Sequence, residues 1–293
     1  MAVSKMGGQE WFWEGEFTLI DLGTPVTEKV PDPDPPRIRR LSHRQGGRLL
    51  GLGAALVEGE ATWQRIRNVL ACLLGVRGIK AKDFPAGLGL ALEEVKSDLH
   101  AGSHLDAPWH FGPTTAGRAA KTIGEVPLEW CFGDAMALDV RHLAPEAEIT
   151  PSHLQRALAA IDGEIKPGTI VLLMTGADRY WGRREYLWKY PGLGRDGTLW
   201  LLEQGVRVIG IDAFGLDRPW RTMAREYLAA RDPARLWPAH LVGREREYCH
   251  LEKLANLHLL PHPKGFRLAC FPTVVEGAGA GWVRPVAFVP REH

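Results

Sequence analysis

The stretch His100-Ala101-Gly102-Ser103-His104-Leu105-Asp106-Ala107-Pro108-Trp109-His110 constrains this 293-residue chain more than any other. It holds three of the eleven histidines and one carboxylate between them. The candidate ligands all fall on even positions: 100, 104, 106 and 110. Alternate side chains of an extended chain share one face, so all four can look the same way. A straight strand still fails, because a rise of about 3.3 Å per residue puts His100 and His104 roughly 13 Å apart. Two ligands of one ion cannot be so distant, and the chain must bend between them. Gly102 can bend without a Cβ penalty, and Pro108 fixes a second turn after Asp106. A helix would also bring 100 and 104 together, but Gly102 and Pro108 argue against one. The expected structure is a strand end followed by a tight loop, with imidazoles and a carboxylate converging on a divalent metal. Neutral imidazole and carboxylate suit zinc, manganese and ferrous iron, and the two oxygens of Asp106 can bridge two ions. The alternative is a His-rich surface loop, or histidines satisfied by hydrogen bonds in the core.

The pattern His100-x-Gly102-Ser103-His104-x-Asp106-x-Pro108-x-His110-Phe111 resembles the signature of the metal-dependent cyclase family. That family includes bacterial kynurenine formamidases, isatin hydrolases and polyketide-type cyclases. Its pattern usually has Thr before the second His; Ser103 keeps the hydroxyl and loses a methyl. The resemblance implies that His100, His104 and Asp106 are metal ligands, and that His110 moves protons or is a further ligand. A second loaded stretch is Leu236 to Leu260, where Glu252 follows His240 by twelve residues. Alone, either reads as a surface polar residue. In the family, a His and a Glu at this separation complete the metal site or sites. His240 is then a ligand or a catalytic group near the metal, and Glu252 a ligand able to bridge two ions. Lys253 departs from the family, where an Asn is common. His250 and His258 flank this pair without a decided role.

The remaining chain reads as an α/β protein. Phe17 to Leu22 is an apolar strand, and Pro31-Asp32-Pro33-Asp34-Pro35-Pro36 can be neither helix nor central strand. Arg37 to Arg48 reads as a basic, solvated loop. Trp63, Ile66, Val69, Leu70 and Leu73 fit one face of a helix within Ala61 to Val76. Val95 to Leu99 reads as a strand leading into the central motif. Gly87 and Gly89 lack the strand, glycine triplet and helix of a phosphate loop. Thr150-Pro151 starts a helix as cap and first turn, with Leu154, Ala157, Leu158 and Ile161 on its buried face. Met136 to Val140, Ile170 to Met174 and Val206 to Ile211 are strands, the last two apolar enough to be buried on both sides, with a short helix at Thr198 to Gln204 between those two. The polar tips Thr175 to Trp181 and Asp212 to Trp220 sit where α/β proteins bind ligands. They also resemble family segments, more weakly than the central motif does. Phe266 to Phe271 and Pro285 to Val289 read as late strands. Taken together, the resemblance implies a swivelling β/β/α cyclase-like domain with a β-barrel-like core. It extends over 1–293 as one domain, with an N-terminal arm at about 1–50.

Composition narrows the partners. Net charge is +1, which offers no electrostatic case for nucleic acid or an anionic membrane. Cys72, Cys131, Cys249 and Cys270 form no CxxC pair and no disulfide framework. With no signal core at Met1 to Glu10 and no apolar run of about 18 residues, the cytoplasm is the expected home. Family membership would imply a homodimer or homotetramer. The expected cofactor is a divalent metal, Zn2+ or Mn2+. The expected activity is hydrolysis of an amide, lactam or ester carbonyl of a small aromatic substrate through metal-bound water. His110 and His240 are the expected catalytic groups, and His100, His104, Asp106 and Glu252 the metal ligands. Trp109, Phe111, Asp217 and Trp220 are expected to line the pocket. The alternative is a polyketide-type cyclase of secondary metabolism, with the metal as Lewis acid and a His as base. His104, Asp106 and His240 also spell a 2-His-1-carboxylate iron oxygenase, though such enzymes are usually all-β jelly rolls. A non-catalytic protein with a closed structural metal site is a further alternative.

Overall fold

A computed structural model describes residues 17–57, 61–76 and 78–291. Its strands of three residues or more are β1 (Phe17–Asp21), β2 (Arg37–Leu41), β3 (Leu92–Lys96), β4 (His104–Asp106), β5 (Phe132–Asp139) and β6 (Ile170–Met174), followed by β7 (Val208–Ile211), β8 (Cys249–Glu252), β9 (Phe266–Ala269), β10 (Ala280–Trp282) and β11 (Val286–Pro290). Its helices are α1 (His43–Val57), α2 (Thr62–Leu73), α3 (Pro108–Phe111), α4 (Pro151–Ala160), α5 (Arg195–Glu203), α6 (Trp220–Ala230) and α7 (Pro238–Val242). The chain forms two compact units. One runs through Pro35 and resumes at Asp98; the other is Pro36–Ser97. The aromatic and acidic residues at 10–16, within the expected arm, lie outside the described residues.

The larger unit is built on a curled, half-barrel sheet of nine strands among the described residues, in the order β1-β11-β9-β5-β6-β7-β8-β4-β10. β5, β6, β7 and β8 run parallel. The flanking strands are antiparallel to their neighbours. The parallel strands have the composition of strands covered on both faces: Ile170, Val171, Leu172 and Leu173 are buried, as are Val208, Ile209 and Ile211. One cluster gathers Leu138, Val171, Leu173, Ile209 and Ile211 with Leu154 of α4 and Leu201 of α5. The other gathers Leu105, Leu172, Leu251, Leu268 and Ala287. Pro151 occupies the first turn of α4 behind Thr150, as its missing N–H and fixed φ favour.

Three local expectations are corrected. The segment Arg37–Leu41 is not loop but the strand β2, paired antiparallel with β3, and α1 begins at His43. Its arginines stay at the surface of a two-stranded ribbon, so charge alone did not exclude strand. Val95 to Leu99 does not lead into the motif as a strand, because β3 ends at Lys96. In the motif itself the order is reversed: a turn comes first, then β4, then one helical turn at Pro108. Gly102 makes that turn with φ of +65°. α2 forms where the periodicity predicts, but its apolar stripe faces outward: Trp63 is 61% and Leu73 69% exposed. β10, the antiparallel partner of β4, had no sequence signal beyond Ala280-Gly281-Trp282.

Gly102 supplies the first test. A Cβ there would sit 3.0 Å from the Val26 nitrogen and 3.1 Å from the Pro25 carbonyl carbon. A left-handed non-glycine residue costs about 1–2 kcal/mol before any such crowding. Gly102→Ala is therefore expected to lower unfolding free energy by at least about 1 kcal/mol in urea titration.

Candidate metal centre

The chain writes the triplet His-Leu-acid twice, as His104-Leu105-Asp106 and His250-Leu251-Glu252. The first is β4 and the second ends β8, and the two strands pair antiparallel. Their register sets His104 opposite Glu252 and Asp106 opposite His250. Side chains alternate along a strand, so the two leucines turn to the other face. Both are fully buried there in one apolar cluster. The two imidazoles and two carboxylates share the remaining face as a two-by-two grid.

Each member has a defined neighbour. His104 Nε2 lies 3.4 Å from Asp106 Oδ1 and 3.7 Å from Glu252 Oε2. His250 Nδ1 lies 3.5 Å from Glu252 Oε1, and Glu252 Oε1 accepts the Leu216 N–H at 2.8 Å. His100 Nδ1 comes within 2.9 Å of Asp106 Oδ1, without the alignment of a hydrogen bond. Two further imidazoles close the ring. His110 stands 4.3 Å from His100 and 5.5 Å from His240, centroid to centroid, and His240 stands 4.3 Å from His250.

The hydrogen bonds on the far nitrogens fix the tautomers. His104 Nδ1 faces the Gly102 carbonyl at 2.9 Å. A carbonyl only accepts, so Nδ1 carries the proton and Nε2 presents a lone pair. Tyr248 donates its hydroxyl to the Ala239 carbonyl at 2.6 Å. That hydroxyl therefore accepts from His250 Nε2 at 2.5 Å, leaving a lone pair on His250 Nδ1. His104 Nε2, His250 Nδ1 and both Asp106 oxygens are buried without a hydrogen-bond partner among the described residues. Buried acceptors facing one another are costly unless a cation lies between them. Asp106, His240, His250 and Glu252 each offer a ligand atom within 4.8 Å of the others, and so do His100, Asp106 and His110. The donor set therefore fits a divalent ion of the nitrogen- and oxygen-binding kind.

Asp217, expected at the pocket, is instead spent on His240. It is buried and accepts the Ala239 and His240 N–H groups at 2.7 and 3.1 Å, capping α7. Its Oδ2 also takes the His240 Nδ1 proton in a short contact, which points Nε2 to within 3.7 Å of Glu252 Oε1. Phe111 lies behind the imidazoles and not in an open pocket: it is buried, stacked on Tyr248 and edge-on to His240. Trp109 is half exposed beside His110. Trp220 stacks on Trp237 at 4.6 Å, just ahead of α7. Ser103 accepts the Thr24 N–H and donates to the Lys253 carbonyl, both at 2.7 Å. The hydroxyl common to Ser and Thr is thus what the motif needs there. His250 is the residue that sequence reasoning left undecided; the repeated His-Leu-acid triplet is the signal that finds it.

Electrostatics divides the histidines. His110 is partly open to solvent, yet desolvation of its ring lowers it to about 4, helped by the His100 and His240 charges and opposed by Asp106. Burial also lowers His250, with His240 adding to it. For His240 burial works the same way, but the Asp217 carboxylate overrides it and raises the ring to about 9. Burial would raise Asp106, yet the His104 and His100 imidazoles hold it well below the usual range. At the tips of β5, β6 and β7, a cavity of about 450 Å³ is lined by Arg141, Gly176, Asp178, Asp212, Asn256 and His258. Burial raises Asp212 to about 7, although Thr175 and Gly176 donate to it.

Two outcomes are expected. An ion at His240 Nε2 must displace a proton held up to about 9, so ion affinity should climb from pH 6 towards pH 9 with proton release. Asp217→Asn removes the charge that raises His240 and should move this climb to lower pH, read by calorimetry in buffers of different ionisation enthalpy. Tyr248→Phe frees His250 to change tautomer and should weaken ion binding about 10–100-fold; unchanged affinity would contradict the tautomer assignment.

Comparison with known proteins identifies the family and the fold. The family model "Putative cyclase" matches residues 20–218, a span that ends before His240 and Glu252. A kynurenine formamidase of Bordetella petrii is 30% identical over 126 residues, covering 43% of this chain and 53% of that protein. Cyclase-like protein 1 of Arabidopsis thaliana is 25% identical over 183 residues, covering 61% of this chain and 66% of its own length. The matches thus span less than two thirds of these relatives. Among solved structures, an isatin hydrolase bound to the product analogue thioisatinate aligns over 94% of each chain, with a TM-score of 0.67 and 19% identity. Isatin hydrolase A from Ralstonia solanacearum aligns over 93% of this chain and 92% of its own, with a TM-score of 0.66 and 21% identity. The chain belongs to the Cyclase family.

Proposed function

We propose that this chain is a metal-dependent hydrolase that opens an amide, lactam or ester carbonyl of a small aromatic substrate. The observation that carries the reading is the set of buried lone pairs on His104, Asp106 and His250, beside Glu252, that have no partner among the described residues. His104, Asp106, His240, His250, Glu252 and His100 are the residues that would hold the ion. When bound, a divalent ion polarises a carbonyl and draws the pKa of water from 15.7 towards about 7.

The side chains around that position have separate tasks. His110 begins neutral at pH 7, since its ring is lowered to about 4, and it lies on the exposed side of the cluster. A neutral imidazole there can take a proton from the nucleophile and return it to the leaving nitrogen or oxygen. Asp217 keeps His240 in the Nδ1–H form and orients it. Phe111 and Tyr248, both buried, exclude water from behind the ligands. Trp109, half exposed next to His110, offers a flat apolar wall for an aromatic ring. The names of the similar proteins, kynurenine formamidase and isatin hydrolase, support a carbonyl next to an aryl nitrogen as the bond attacked.

The neutral His110 favours a second reading from the same groups. As a base, it could enolise a polyketone in a cyclisation. The oxygenase alternative is usually built on an all-β jelly roll, and the mixed α/β sheet is a different architecture. Among the described residues no helix is long and apolar enough to cross a membrane.

The test is a panel of N-formyl aryl amines, isatin-type lactams and aryl esters, assayed with and without chelator. Hydrolysis of at least one class is expected, lost on chelation and restored by Zn2+ or Mn2+. Asp106→Asn should bind less ion and lose activity by about 10³-fold or more. His110→Ala should keep its ion and lose about 10²–10⁴-fold in kcat. Full hydrolysis by chelated, metal-free protein would refute the reading.

A further inference from the structure

Lys253 follows Glu252 directly and is only 4% exposed. Lysine is almost never so buried unless it is paired. Its backbone is also unusual, with φ of +57°, in the left-handed region that L residues other than Asn and Asp avoid. The reaction assigned above makes no use of its side chain. The ammonium has two partners. Its Nζ donates to Asp32 Oδ2 at 3.4 Å and lies 4.3 Å from the centre of the Phe214 ring. The Asp32 side chain is itself only 12% exposed. Asp32 stands between Pro31 and Pro33 in the proline-rich run. Each proline fixes one φ, so the carboxylate is delivered with little chain freedom left to lose.

The backbone of Lys253 is tied as tightly. Its carbonyl accepts the Ser103 hydroxyl at 2.7 Å and the Thr24 hydroxyl at 2.9 Å. Its N–H donates to the Ala213 carbonyl at 3.1 Å. Ala213 opens a loop that lies against the Glu252 carboxylate. A Cβ on Gly215 would sit 3.8 and 3.9 Å from the two Glu252 oxygens, and the Leu216 N–H donates to Oε1 at 2.8 Å. Two consecutive residues thus hold this loop at three points. The Lys253 N–H takes Ala213, the Lys253 ammonium takes Phe214, and the Glu252 carboxylate takes Leu216. A cation over an aromatic ring gains most where water is excluded, as it is here.

We propose that Lys253 is a positioning residue for Glu252. Its ammonium, held between Phe214 and Asp32, fixes the loop at 213–216 so that the Leu216 N–H stays on Oε1. Oε2 is then kept turned to His104 Nε2, 3.7 Å away. The proline-rich run acquires a task by the same contact, since Asp32 anchors the lysine that steadies the loop. As a claim about ion affinity, this rests on the metal reading given above; as a claim about the loop, it stands without an ion.

Two measurements on the full chain test it. Backbone hydrogen exchange of the metal-free protein reads the Leu216 amide directly, and calorimetry reads Zn2+ affinity. Lys253→Met keeps a long apolar stem and removes the charge. It should speed exchange at Leu216 at least about tenfold, with the amides of β6 and β7 unchanged. Its Zn2+ affinity should fall about 10-fold or more. Asp32→Asn should move both readings the same way, and it decides the matter if Lys253→Met fails to fold. The double variant should be no worse than Lys253→Met, because both changes act through one ion pair. Exchange and affinity unchanged in both single variants would overturn the proposal. So would an acceleration spread equally over β6 and β7, which marks lost stability alone. A wild type that binds no Zn2+ would refute the metal reading, and exchange at Leu216 would then decide this proposal by itself.

Discussion

The register between β4 and β8 is the constraint on which the rest depends. Pairing His104 with Glu252 and Asp106 with His250 puts two imidazoles and two carboxylates on one face and Leu105 and Leu251 on the other. A slip by one residue would turn leucines to the site and carboxylates into the apolar cluster. Buried carboxylates without partners are far costlier than the slip could recover. The two leucines therefore hold the register, and the register holds the site. β10 adds to this by pairing with the other edge of β4, with Ala280 opposite Asp106 and Trp282 opposite His104. A three-residue strand is thus clamped on both sides.

A second layer of hydrogen bonds decides which nitrogen of each imidazole faces the centre. The Gly102 carbonyl, the Tyr248 hydroxyl and the Asp217 carboxylate each take one ring proton, from His104, His250 and His240 in turn. All three acceptors come from the segment next to the histidine or from the tip of a neighbouring strand. The bend at Gly102 therefore does two jobs. It turns the chain, and it aims a carbonyl at His104.

Much of this was legible in the sequence. The spacing of His100, His104, Asp106 and His110 demanded a bend, and Gly102 makes it. The apolar runs at 170–174 and 208–211 announced doubly covered strands. Other features were hidden because they depend on tertiary partners. Asp217 reads like any strand-tip acid until α7 is seen resting on it. Phe111 follows directly on the His-rich motif, yet its ring packs behind His240 and His250. His250 looked optional until β8 was set beside β4, although its triplet repeats that of the motif. The arginines of β2 suggested loop because a two-stranded ribbon needs no buried face. The stripe of α2 showed the right period but not that it faces outward.

The central claim is that two His-Leu-acid strands bring imidazole and carboxylate to one ion. X-ray absorption at the zinc edge, on the full chain loaded with one equivalent of Zn2+ and dialysed, tests it most directly. The account predicts retained zinc with a shell of nitrogen and oxygen at about 2.0–2.1 Å and the outer-shell scattering of several imidazoles. Zinc lost on dialysis, or a shell dominated by sulfur at about 2.3 Å, would contradict it.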